Sequence, residues 1–240
     1  MEQPGIKASR EQILGFMTTE HFALQTARSA TIAEANGRTA IYLSSVSSAV
    51  VALAFIGQVS DTGDAFFLFA LVLFPTLFFL GIVTFDRVLQ TGLADLMHAR
   101  EINRIRHYYV EVAPEVGRYF VHSTRDDTPA FFHDLAIAPT KWQYFVSSAG
   151  AVNIINGVIA GVFAGLAASY FLWWPDFACA AIGGVVFVAS VVAHRRFQAK
   201  KSLQVMRRLD TLFPTPKSDE MAQKAAQAGA ADGMGAHKTL

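Results

Sequence analysis

The sequence predicts an all-α fold, a polytopic membrane protein with four transmembrane helices, cytoplasmic helical extensions and both termini in the cytoplasm. Three observations predict it. The chain of 240 residues is 52% hydrophobic and 16% charged, a balance outside that of ordinary soluble domains. Its apolar residues gather in four runs without Asp, Glu, Lys, Arg or His: Ala40–Gly57, Ala65–Phe85, Phe145–Leu172 and Phe177–Ala193. All twenty Lys and Arg lie in the segments 1–39, 86–144 and 194–240, while the short connections Gln58–Asp64 and Trp173–Asp176 carry only Asp61, Asp64 and Asp176. A bilayer core of about 30 Å needs roughly 20 helical residues, and cations stay on the cytoplasmic side. Bacterial inner (plasma) membrane is therefore the expected location.

Residues 1–39 read as a cytoplasmic N-terminal helix. Ser9-Arg10-Glu11-Gln12 has the form of a capping box, and the stretch to Asn36 leads through Gly37-Arg38 into the first span. The first apolar run starts too deep for a cleaved signal peptide and is expected to stay as an anchor. Residues 40–85 form the first transmembrane hairpin, whose polar content is small and uncharged: Ser44, Ser45, Ser47, Ser48 and Pro75-Thr76.

Residues 86–144 are a cytoplasmic helix and elbow. No helix breaker follows Asp86 until Pro114, so the second span is expected to run on, carrying an apolar stripe of Leu89, Leu93, Leu96, Ala99, Ile102, Ile105, Tyr109 and Val112. Such a stripe must pack on a partner helix of the same chain, the N-terminal helix being the obvious one, on another subunit, or on the membrane surface. Pro114, Gly117, Pro129 and Pro139 then break the chain, and a short helix from Thr128-Pro129 would carry Phe131, Phe132, Leu135 and Ile137.

Residues 145–193 form the second hairpin. Trp142 and Tyr144 at one end and Trp173 and Trp174 at the other mark the membrane interfaces, and Thr140-Lys141-Trp142-Gln143 predicts a capped helix start immediately before the span. Ala149, Asn153, Gly157, Gly161, Gly165 and Ser169 recur every fourth residue, a tandem small-residue strip that lets a second helix approach closely, with Ala180 and Gly184 as the expected counter-face. Packing inside the hairpin, packing between subunits, and a wetted pore face bearing Asn153 and Asn156 all fit this pattern. Residues 194–213 predict a basic amphipathic helix whose Arg195, Arg196, Lys200, Lys201, Arg207 and Arg208 would meet anionic lipid of the inner leaflet. From Pro214 the composition predicts a disordered tail over 214–240.

Chemistry is sparse. The single Cys179 excludes an internal disulfide and reads as a packing residue. The seven histidines form no metal motif, His133-Asp134 reads as solvated surface, and Asp126-Asp127 before Thr128-Pro129 reads as a turn and helix start. No nucleophile elbow or phosphate loop is present. These features predict no enzyme and no cofactor, and a net charge of +1 predicts no nucleic-acid partner. Pumps and ion-coupled transporters place ionisable groups inside the bilayer. None lies within the four runs.

The order of parts over residues 9–113, namely cytoplasmic helix, span, tight external turn, span and long cytoplasmic helix, resembles the layout of bacterial SLATT-type two-helix membrane effectors. That resemblance implies nucleotide-triggered membrane permeabilisation in phage defence. It covers under half the chain, offers no ligand-binding motif to carry over, and the second hairpin departs from it. Thr18-Thr19-Glu20-His21-Phe22 with the span that follows also resembles uncharacterised bacterial multi-pass integral membrane proteins, which implies no function. Two functions follow as expectations: a homo-oligomeric channel or pore, or a non-conducting membrane scaffold, sensor or complex subunit.

Overall fold

The computed structural model describes residues 8–61, 63–136, 140 and 142–216. Ile137, Pro139, Lys141 and the tail from Lys217 onward, all part of the expectations above, lie outside them. The chain divides into two units: residues 1–99 with 139–210, and residues 100–138 with 211–240. Among the described residues there is no strand.

The first unit holds four helices long and apolar enough to cross a membrane. Helix α1, Arg10–Val59, joins the N-terminal helix and the first span without interruption. Its start is the capping box that the sequence announces: the Ser9 hydroxyl accepts from the Gln12 amide at 3.2 Å, and the Gln12 side chain accepts from the Ser9 amide at 2.8 Å. Helix α2, Asp64–Val112, likewise carries the second span into a polar extension, and Pro75 sits inside it without ending it. At ~1.5 Å per residue each helix is roughly 75 Å long, far more than a bilayer requires.

The two long helices run antiparallel with a register that holds along their length. Gly57 packs on Phe66, Gly81 lies against Tyr42, Glu34 pairs with Arg87 at 2.9 Å, and Arg28 pairs with Asp95 at 2.7 Å. Each step down α1 is matched by an equal step up α2. The contacts are apolar inside the span and ionic outside it, so the solvent change is written into the pair.

Helix α5, Ser148–Leu172, and helix α6, Asp176–Arg208, form the second hairpin. Here the expected start differs. Instead of one helix from Trp142, a single turn α4, Gln143–Val146, is followed by an extended Ser147 whose hydroxyl caps α5 by accepting from Gly150 at 3.1 Å. A Cβ at position 150 would run into the Tyr144 carbonyl, so glycine is what lets the chain turn back so tightly.

The small-residue strip packs inside the hairpin, but its counter-face is not Ala180 and Gly184. A Cβ on Gly161 would lie 2.6 Å from the Gly183 carbonyl oxygen, Gly157 abuts Phe187 and Val191, and Gly165 lies on the Cys179 carbonyl. Cys179, Gly183, Phe187 and Val191 therefore face α5. Gly184 has nothing within 4 Å of an added Cβ, and Ala180 is exposed. One residue turns a helix by about 100°, so a choice displaced by one position selects the neighbouring face. Cys179 is the packing residue expected of it, buried with its thiol 3.5 Å from the Trp174 carbonyl.

With four spans, the Arg10 end of α1 and the Arg208 end of α6 share one side, called the terminal side below. The opposite, hairpin side carries Asp61, Asp64 and Asp176, with Trp173 and Trp174 exposed beside them. Helix α6 passes from span into basic extension as one helix but stops at Arg208, not at Phe213, where Leu209 turns extended.

The second unit contains the last turns of α2, a 3-10 helix Pro114–Tyr119, helix α3, Thr128–Asp134, and the segment from Thr211. Pro114 ends α2 as expected, and Asp127 caps α3 by accepting from the Ala130 amide at 3.1 Å. The α2 stripe is covered within one protomer: Leu89, Leu96, Ala99, Ile102 and Ile105 are all buried, with Leu93, Tyr109 and Val112 half-buried. It leaves little apolar surface at these positions for another subunit.

Candidate functional site

Each of the four spans contributes to one buried polar cluster near the terminal side. Tyr42 projects from α1, Asn153 and Asn156 from α5, Ser190 and His194 from α6, and α2 supplies Gly81. Tyr42 and Asn156 are completely inaccessible, and Asn153 is 2% exposed. The Tyr42 hydroxyl donates to Asn156 Oδ1 at 3.3 Å, Asn156 Nδ2 lies 3.4 Å from His194 Nε2, and His194 Nδ1 lies 2.9 Å from the Ser190 carbonyl. A carbonyl only accepts, so Nδ1 carries a proton and donates to it, which leaves Nε2 facing the Asn156 amide.

Position 81 must be glycine for this to close. A Cβ there would collide with the Asn156 side chain and come within 2.8 Å of the Tyr42 hydroxyl. Around the polar atoms lie Val152, Leu77 and Phe85, all buried, and Phe85 presents its ring edge-on to His194 at 4.9 Å between centroids. Asn153 adds a second tie from α5 to α6 by donating to the Val191 carbonyl at 3.3 Å, while its own Oδ1 accepts no hydrogen bond among the described residues. Neither asparagine is a wetted, pore-lining residue within the protomer.

His194 also walls a groove of about 610 Å³ on the terminal side, whose floor is Ile82, Val83, Phe85, Ala193 and Phe197 and whose outer end carries Arg38, Asp86, Arg87 and Gln90. Glu34 joins its two arginines: Arg38 and Arg87 each donate Nε to the same Glu34 oxygen at 2.9 Å. Those hydrogen bonds, Arg38's first and then Arg87's, hold the Glu34 carboxyl below the usual carboxylate range. A second trough, about 580 Å³, runs beside the small-residue strip and is lined by Gly161, Gly165, Ser169, Ala180 and Gly184 among others.

The cations expected at anionic lipid divide into two sets. Arg195 sits over the rings of Tyr144 and Phe145, 5.7 Å from each, and Lys201 pairs with Asp86 at 2.5 Å. Arg196, Lys200, Arg207 and Arg208 are exposed.

The second unit is organised by a carboxylate instead. Asp126, with no accessible surface, accepts from the Leu212 amide at 3.0 Å, the Phe213 amide at 2.8 Å and Arg104 Nε at 2.7 Å. Its own amide donates to the Phe213 carbonyl at 3.2 Å. Asp127 accepts from both the amide and the hydroxyl of Thr215, at 2.6 and 2.9 Å, and the Phe213 ring stacks on His107 at 3.7 Å. Burial raises the Asp126 pKa, but the two backbone amides and Arg104 together outweigh it and leave the group below its ordinary value. Phe213, expected on an amphipathic helix, and Thr215, expected in a disordered tail, are thus both fastened in place. Asp134 is not solvated surface either, since it accepts from Ser123 at 2.6 Å and Asn103 at 2.9 Å. Among the described residues no three His, Cys, Asp or Glu side chains come together as a metal site.

Comparison with known protein families, curated proteins and solved structures finds no match.

Sequence reading missed the polar hub because its members sit at the edges of the apolar runs. His194 follows the last residue of the fourth run, and Tyr42 enters near the start of the first. The available signal was Asn153 and Asn156: two amides in an apolar helix each need a partner.

Proposed function

We propose that this multi-pass membrane protein is a non-conducting sensor or complex subunit of the cytoplasmic membrane, with its terminal side in the cytoplasm. One observation carries the reading. Tyr42, Asn156 and His194, drawn from three of the four spans, are bonded to one another rather than turned to an aqueous path, with Tyr42 and Asn156 sealed from any solvent, while the exposed Ser44, Ser47 and Ser48 lie outside this cluster. A hub of this kind holds helices in a defined arrangement. The orientation rests on the placement of every cation away from the two short turns. Planar-bilayer recording on purified protein is expected to give no unitary currents, and reproducible ohmic steps that vanish with Asn156→Leu would overturn the proposal.

A second reading, the oligomeric pore that the SLATT-like layout implies, draws on the open trough beside Gly161, Gly165 and Gly184, where the helix of another copy could lie. In that case the conduit would run between copies rather than through one. Native mass spectrometry in mild detergent tests it, because a monomer at every protein concentration removes the pore.

A further inference from the structure

We infer that the groove between α1, α2 and α6 binds the headgroup of an anionic phospholipid from the terminal-side leaflet, with the phosphate at Arg38 and Arg87. Its depth is the first argument. Three helices change from apolar to charged at the groove: α1 between Arg38 and Ala40, α2 between Phe85 and Asp86, and α6 between Ala193 and Arg195. Three independent borders meeting at one level mark the headgroup layer, so the apolar floor lies at acyl-chain depth and the arginines at phosphate depth.

Charge is the second. Arg38, Arg87 and Lys201 face Glu34 and Asp86, which leaves one positive charge unmatched, the complement of a phosphodiester monoanion. Among the described residues Arg38 commits only Nε, and Arg87 commits Nε and one terminal nitrogen, so donors remain on both guanidinium groups. Glu34 bonds to both and holds them side by side, as bidentate phosphate recognition requires. Neither arginine belongs to the basic face of α6, so this site is separate from the diffuse attraction of that helix for the membrane.

Occupancy would reach the hub directly, because Phe85 and His194 line the groove and also pack on each other. The inference rests on the sensor reading only in supplying what is sensed. Lipid binding is measured without current, so the two can fail separately.

The test is native mass spectrometry of the full-length protein in mild detergent, titrated with dioleoyl phosphatidylglycerol or dioleoyl phosphatidylcholine. Wild type is expected to retain one phosphatidylglycerol in preference to phosphatidylcholine, and Arg38→Gln with Arg87→Gln to weaken that binding by roughly 30-fold, two charge contacts' worth. Ile82→Trp, which fills the exposed floor and keeps every charge, is expected to lose the lipid as well. Arg207→Gln with Arg208→Gln is expected to keep it. No preference for phosphatidylglycerol in wild type, or an equal loss in the Arg207 and Arg208 pair, would overturn the site. So would full displacement by millimolar soluble glycerol phosphate, which would assign the arginines to a free phosphate instead.

Discussion

The two units each bury a polar cluster, and the clusters are built from opposite materials. In the membrane unit the hub contains no carboxylate, and its side-chain bonds between helices are single and long: 3.3 Å from Tyr42 to Asn156, 3.4 Å from Asn156 to His194, 3.3 Å from Asn153 to Val191. The other unit buries the carboxylate of Asp126 behind three donors at 2.7–3.0 Å. The difference follows from what each cluster would face if it opened. A polar group leaving the hub would enter lipid or find another partner in the bilayer, so modest bonds suffice. Asp126 could regain water, and only a complete set of charge-assisted bonds makes burial competitive. Long side-chain bonds between helices therefore define geometry inside the bilayer, and short carboxylate bonds define it outside.

The largest test of that contrast is Asp126→Ala. It takes from Arg104 and from two amides the acceptor they share, and should cost about 3 kcal/mol, the lower range for breaking a buried pair because Arg104 keeps some solvent contact. Hydrogen exchange should show the segment 211–216 losing protection while the spans keep theirs. Unchanged protection at Leu212 and Phe213 would mean that the Phe213 stack on His107 suffices.

Asn156→Leu should cost less, about 1 to 2 kcal/mol for two membrane hydrogen bonds. Denaturation in mixed micelles would measure it. A loss comparable to that of Asp126→Ala would erase the proposed distinction.

Acid separates the clusters without mutation. Asp126 has a folded-state pKa below the ordinary 3.8, so its contribution is fully present above that ordinary value and is lost as pH falls through the lower, folded one. Protection of Leu212 and Phe213 should thus persist through neutral and mildly acidic pH and fail only below about pH 4. Loss of protection well above pH 4 would show that Asp126 is not the controlling group.

The smallest effect should come from Arg28→Gln. Its pair with Asp95 is partly exposed, at 30% and 19% of the two side chains, and such pairs contribute under about 1 kcal/mol. Thermal stability of the purified protein should shift by at most a few degrees. A larger drop would make the α1–α2 ion pairs outside the membrane more important than their exposure implies.

Much of the architecture was legible because it depends on local pattern. Four uncharged runs gave the spans, Ser9 and Gln12 gave the start of α1, and the lack of a breaker between Asp86 and Pro114 gave the full length of α2. Features that depend on contact were misread or missed. Thr140–Gln143 looks like a helix start, yet α5 begins at Ser148 because the chain doubles back on Gly150. Ala180 and Gly184 are small and correctly spaced, yet Cys179 and Gly183 occupy the interface. Spacing gives a helical period but not its phase against a partner.

The sequence by itself therefore determined the solvent of each segment: which residues cross the membrane, where the cations gather and where helices begin and stop. These follow from transfer free energies and backbone hydrogen bonding, which act residue by residue. Only the tertiary structure decided that Tyr42 meets Asn156, 114 positions away, or that Asp126 holds Phe213, 87 positions away. Such pairings depend on helix rotation and on a few ångströms of approach. A glycine at 81 or 183 permits that approach, but no local pattern announces it.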